Sequence, residues 1–115
     1  MTAAAAAAER TQRWGRYLSD LEAFAAVPLC TLQAWQSANF CRERLGLQQP
    51  LGAIDLTRLN VKGGSVAVGH PFAATGARIL AGLAKILAQD STAKLGLASA
   101  CTAGGMGVSA ILERA

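Results

Sequence analysis

Histidine, aromatic rings and charge are scarce in this 115-residue sequence, and each shortage closes off a class of function. A single histidine, His70, rules out a histidine-rich metal site. The three cysteines, Cys30, Cys41 and Cys101, are an odd number with no Cys-x-x-Cys pair. That pattern argues against a disulfide framework or a zinc site and for a reducing compartment. Eleven basic residues against seven acidic ones leave a net charge of only +4, with no basic run. Only Trp14 and Tyr17 interleave aromatic rings with arginine, so nucleic-acid binding is disfavoured. No apolar run reaches the roughly 18 residues of a membrane span, because Arg78 and Lys85 interrupt the best candidate. Neither a G-x-G-x-x-G nor a P-loop pattern occurs.

What is present suits one α/β domain, since 52% hydrophobic residues are enough for a buried core at this length. Residues Met1–Ala8 are mostly alanine, and Arg10, Arg13 and Arg16 follow. A secretory signal has its basic region first, so the order here is wrong for one. Residues 1–18 are expected to be an Ala/Arg-rich, poorly ordered leader, and 19–115 the domain. From Asp20 to Gly46 the pattern is helical: Leu21, Phe24, Ala25, Leu29, Leu32 and Trp35 recur near a period of 3.6. Pro28 should kink that helix or shorten its first turns, and Gly46 should stop it. Cys30 and Cys41 lie among helical apolar positions and read as packing residues.

The chain is organised around Asn60–Met106. Ser65–Val68 reads as a short strand, Ala73–Ala88 as a helix, and Lys94–Ala100 as a parallel strand. Val108–Leu112 should return as another strand across the tight Gly104–Gly107 turn. A strand, crossover helix and parallel strand bring both carboxyl ends to one sheet edge, where ligands of open α/β sheets sit. His70 would follow the first strand and Cys101 the second, so residues 31 positions apart could approach. A neutral imidazole there can act as a base or polarise an oxyanion. The glycines after Cys101 would let backbone N–H groups point inward without Cβ obstruction, as an oxyanion hole requires. A histidine that merely caps a loop and an inert buried cysteine are the plainer alternatives.

NVKGGSVAVGHPFAATGARIL, followed by CTAGGMGVSAILE, resembles the C-terminal end of the thiolases. GHPFAATGAR and CTAGG are most similar to the fatty-acid-oxidation branch, the 3-ketoacyl-CoA thiolases or acetyl-CoA C-acyltransferases. DLEAFAA is similar to a family motif ending in EAFA, and the resemblance runs from Asp20 to Arg114. It implies a partial thiolase-like half-domain with a mixed sheet, in the order helix, strand, helix, strand, strand. The family's half-domain sheet runs 3-2-1-4-5 with the last strand antiparallel, and the resemblance would give this chain strands 3, 4 and 5.

The implied chemistry is acyl transfer between coenzyme A and a 3-ketoacyl-CoA in fatty-acid β-oxidation, with CoA as substrate and no cofactor. His70 matches the histidine that activates the nucleophile and helps hold a thioester oxygen. Cys101 matches the acid/base cysteine that moves a proton on the CoA sulfur or the substrate α-carbon. The N–H of Ala103 matches a donor of the second oxyanion hole, and Asn60, Gly64, Gly69, Gly104 and Gly105 match loop-shaping positions. Two departures stand out. Leu21 lies where the family has a hydrogen-bonding Asn or His, and the half that carries the nucleophilic cysteine has no counterpart here. Cys30 and Cys41 do not sit in its motif. The expectation is a thiolase fragment inactive alone, partnered by an acyl-CoA or CoA thioester and by an oligomer mate or a complementing N-terminal half. The cytosol or a mitochondrial matrix would suit it, and a non-catalytic acyl-CoA-binding or thiolase-partner module is the alternative.

Overall fold

The structure is a computed structural model and describes residues 17–22 and 24–115. Its centre is a three-stranded sheet in the order β1-β2-β3. The strands are β1 (Tyr17–Glu22), β2 (Leu95–Thr102) and β3 (Met106–Glu113). β1 runs parallel to β2, from Tyr17 beside Leu95 to Glu22 beside Ala100. β3 returns antiparallel, from Thr102 beside Met106 to Leu95 beside Glu113. The reversal between β2 and β3 uses Gly104 and Gly105, both left-handed with φ of 83° and 74°, a conformation glycine adopts without steric cost.

The helices are α1 (Ala26–Gln36), α2 (Ala38–Leu45), the single-turn α3 (Ser65–Val68) and α4 (Thr75–Gln89). Pro28 sits in the first turn of α1, where its missing N–H would have had no helical partner, so the helix accommodates it. Ser37 separates α1 from α2, its hydroxyl accepting the Phe40 N–H at 3.2 Å. Gly46, at φ 69°, ends α2 as expected, and the Leu47 N–H reaches back to the Cys41 carbonyl. Cys41 is fully buried, with its sulfur 3.5 Å from the Trp35 carbonyl oxygen.

The core lies between α4 and β2. Thr75, Ile79, Leu83 and Leu87 are buried at four-residue intervals and so form one stripe along α4. That stripe covers Ala93 and Ala98, with Ala100 and Leu112 at its margin. Burying Ile79, Leu83 and Leu87 stabilises the fold by roughly 1.5–3 kcal/mol each. Gly96 sets how close the two layers come: a Cβ there would stand 2.7 Å from Leu83 Cδ1 and 2.8 Å from Cγ.

The α/β class and the mixed sheet stand, but several elements differ from the sequence reading. Ser65–Val68 is a helical turn instead of a strand. The N–H groups of Ala67 and Val68 bond to the Gly64 carbonyl and that of Gly69 to Ser65, so the segment closes on itself. The helical stretch expected from Asp20 begins instead as β1, which pairs with residues more than seventy positions away. β1 also takes in residues 17 and 18 of the expected leader; residues 1–16 lie outside the described residues. The long helix starts at Thr75 instead of Ala73. Because β1, β2 and β3 are immediate neighbours, they correspond to the 1-4-5 end of the 3-2-1-4-5 order, and not to strands 3, 4 and 5.

One ion pair fastens the 3₁₀ turn Leu56–Arg58 to the loop after α4. Arg58 Nη2 stands 3.1 Å from Asp90 Oδ2 and 3.0 Å from the Thr92 hydroxyl. Asp90 in turn accepts the Thr92 hydroxyl at 2.6 Å and its N–H at 2.8 Å. These Thr92 bonds, with Arg58 adding a smaller attraction, hold the Asp90 carboxyl below the ordinary aspartate value of 3.8.

Two outcomes are expected. Gly96→Ala should destabilise the chain by about 1–3 kcal/mol, read from urea unfolding midpoints, because Leu83 is 1% exposed and has nowhere to move. The folded Asp90 binds its proton more weakly than the unfolded one. Its contribution is therefore complete above the unfolded value and disappears as pH falls through the lowered one. Asp90→Asn should lower the urea midpoint near neutral pH and converge on the parent as pH falls below the ordinary aspartate value of 3.8, a difference that a pH series of melts would show.

Candidate functional site

Five residues join α4 to β2, so the helix must double back and run antiparallel to the strand. Leu83 lies over Gly96. From Leu83 back to Thr75 the helix climbs about 12 Å at 1.5 Å per residue. From Gly96 on to Ala100 the strand advances about 13 Å at 3.3 Å per residue. Thr75 therefore stands level with Ala100, and the loop before it lies at the carboxyl edge of the sheet, where Cys101 also is. The sequence reading placed His70 at this edge through a preceding strand. It is α4 that takes the imidazole there.

The His70 loop is built by backbone turns. Gly69, at φ 89°, leaves the α3 turn, and Ala73, at φ 65°, is a left-handed alanine. That bend lets the Pro71 carbonyl accept both the Ala74 and the Thr75 N–H at 3.1 Å. The Thr75 side chain, 4% exposed, then turns back toward His70: its Oγ1 is 2.8 Å from His70 Nδ1 and 3.2 Å from the Pro71 carbonyl oxygen. The ring of Phe72 meets the imidazole edge-on with centroids 5.3 Å apart. Arg78 Nη2 bonds the Ser65 hydroxyl at 2.9 Å and fastens α3 to α4 beneath this loop. Asn60, at φ 49°, opens the preceding turn, its carbonyl accepting the Gly63 N–H at 2.8 Å.

Cys101 belongs to the other face of the sheet. Gly96, Ala98 and Ala100 turn toward α4, so Leu97, Ser99 and Cys101 alternate toward α1. There they line a cleft of about 320 Å³ whose opposite wall includes Val27, Thr31 and Trp35 of α1. Its floor is pinned by the Ser109 hydroxyl, which donates to Ser99 Oγ at 2.9 Å. Ala103–Gly105 form the turn that follows β2, Gly105 lines the cleft, and the Thr102 hydroxyl donates to the Ala103 carbonyl at 3.2 Å. The exposed Cys101 thiol opens on this space. By backbone register, Leu21 of β1 lies beside Ser99.

The structure thus carries His70 and Cys101 to one end of the sheet on segments that belong to opposite faces. The imidazole's described contacts are Thr75 and Phe72, and His70 does not line the Cys101 cleft. The contact between Thr75 and His70 was not expected from the sequence. A hydroxyl five residues after a histidine, across a proline turn, is the signal that could have found it. The α1 wall was missed because that stretch reads as one continuous helix. Among the described residues, no group of three or more His, Cys, Asp or Glu side chains could hold a metal ion.

Residues 17–114 match the family model described as the thiolase C-terminal domain. The chain is 44% identical over 108 residues to a 3-ketoacyl-CoA thiolase of Shewanella sp. (strain W3-18-1), covering 89% of this chain and 24% of that protein. It is 47% identical over 107 residues to a 3-ketoacyl-CoA thiolase of Yersinia pestis (strain Pestoides F), covering 88% and 24%. The crystal structure of human mitochondrial 3-ketoacyl-CoA thiolase superimposes with a TM-score of 0.60 at 29% identity, over 85% of this chain and 20% of that one. The chain therefore spans about a quarter of the length of the curated relatives it matches.

The thiols give a direct check on this geometry. Cys101 and Cys30 are exposed and Cys41 is buried. A disulfide reagent such as DTNB should titrate two thiols in the folded chain and three in denaturant. Cys101→Ala should remove one of the two fast-reacting equivalents.

Proposed function

This chain belongs to the thiolase C-terminal domain family, and from that premise we propose that it supplies one side of an acyl-transfer site for CoA thioesters. The observation that carries the proposal is the Cys101 thiol at the carboxyl end of β2, opening on a cleft beside a doubly left-handed glycine turn. That is the placement a proton donor to a bound thioester needs. In the thiolytic direction, a cysteine thiolate of the complementing half attacks the keto carbon of a 3-ketoacyl-CoA. The bond between that carbon and the α-carbon then breaks, and its electron pair leaves as the enolate of the shorter CoA thioester. Cys101 delivers its proton to that α-carbon. The Cys101 thiolate next takes the proton of an incoming CoA thiol, whose sulfur attacks the acyl-cysteine and releases the acyl-CoA. His70 takes the nucleophile's proton and helps hold a thioester oxygen, and the Ala103 N–H donates to the oxygen of a second, separate oxyanion hole.

The complementing half is the partner this reading requires. The exposed apolar side chains beside the site, Val66 at 82% and Phe72 at 87% exposure, support a protein surface packed there. Three free thiols suit a reducing compartment, the cytosol or an organelle matrix. One observation favours the second reading, a non-catalytic acyl-CoA-binding or partner module: Leu21, beside Ser99 in the register, has no hydrogen-bonding side chain to hold an oxyanion-hole water.

Complementation separates the two readings. The chain alone should not cleave a 3-ketoacyl-CoA, whereas mixing it with a separately expressed N-terminal half of a 3-ketoacyl-CoA thiolase should restore cleavage. In that mixture His70→Ala and Cys101→Ala should each lower kcat by about 10²–10⁴-fold, the usual contribution of a positioned acid or base. Restored activity indifferent to both substitutions would favour the non-catalytic module.

A further inference from the structure

Thr75 has one hydroxyl proton and two neighbours that could accept it, the Pro71 carbonyl oxygen at 3.2 Å and His70 Nδ1 at 2.8 Å. Both contacts are hydrogen bonds together in one arrangement only: the hydroxyl donates to Pro71, and its oxygen accepts from an Nδ1–H of the ring. We propose that Thr75 is a positioning residue that commits neutral His70 to the Nδ1–H tautomer, so that every proton the imidazole exchanges moves at Nε2. The inference deepens the reading of His70 as the base of the acyl-transfer site, and rests on that reading for its catalytic consequence.

Several features of the loop favour a fixed arrangement. Thr75 is 4% exposed, so its hydroxyl has little access to water and must find its partners within the protein. Thr75 is also the first residue of α4, whose buried stripe anchors it to the sheet through Ile79 and Leu83. Phe72 meets the ring edge-on at an interplanar angle of 70° and adds a second restraint on its orientation. Nδ1 is thereby occupied, and Nε2 is left as the ring nitrogen that can serve as base. In the forward step the thiol of the complementing half breaks its S–H bond. The electron pair stays on sulfur as thiolate, and the proton forms an N–H bond at Nε2. The resulting imidazolium keeps its Nδ1–H bonded to Thr75, so no group need reorient. Returning the Nε2 proton restores the neutral ring.

Because His70 is the sole histidine, long-range ¹H–¹⁵N correlation spectra of the ¹⁵N-labelled chain report its tautomer without assignment. Spectra taken at alkaline pH record the neutral form. The expected result is a protonated Nδ1 and an unprotonated Nε2 in the parent and in Thr75→Ser. Thr75→Val should shift the ring toward Nε2–H. A parent chain with Nε2–H overturns the proposal, and this holds even if Thr75→Val fails to fold. In the complemented enzyme, Thr75→Val should lower kcat at least tenfold with little change in KM, and Thr75→Ser should restore most of it. A tautomer that changes while kcat does not would overturn His70 as the base and leave the lock intact. The two failures are thus distinguishable.

Discussion

The contact of Leu83 with the bare backbone at Gly96 fixes the spacing on which the rest of the molecule depends. A helix that rests on side chains stands farther from its sheet than one that rests on a glycine. Here the small residues Gly96, Ala98 and Ala100 let α4 settle against β2, and the stripe Ile79, Leu83 and Leu87 fills the gap. The same contact sets longitudinal position. Helix and strand advance by similar lengths from it, so Thr75 at the start of α4 comes level with Ala100, near the end of β2. The His70 loop and the Cys101 turn then share the carboxyl edge of the sheet.

Elements whose pattern is local were legible in the sequence. The period of α4, the apolar run of β2, its glycine-led return in β3 and the stop at Gly46 all appear close to where they were expected. Two elements were not legible. SVAV is rich in β-branched residues and resembles a strand, yet its N–H groups close a helical turn onto Gly64 and Ser65. Leu21 of β1 and Phe24 just beyond it mimic the first step of a helical period. Only pairing with Leu95–Ala100 makes Tyr17–Glu22 a strand, and a partner so distant leaves no mark in a short window.

The site divides the same way. Cys101 was legible because a thiol at the end of an apolar strand before two glycines has an evident place in the fold. His70 was legible as a residue, but its route to the sheet edge was not, since that depends on the direction of α4 and not on a strand before it. The Thr75 hydroxyl was harder still. Its bond to Nδ1 exists because Ala73 bends the chain back, and nothing in the identity of an alanine announces a left-handed backbone.

That bend has a consequence for aim. A left-handed alanine costs about 1–2 kcal/mol relative to the right-handed form, where glycine would be at ease. Glycine, however, would also open many other shapes to the six-residue span from His70 to Thr75. The methyl group at position 73 thus gives up some stability and narrows the ensemble, so the ring is pointed in advance, before any ligand arrives to orient it.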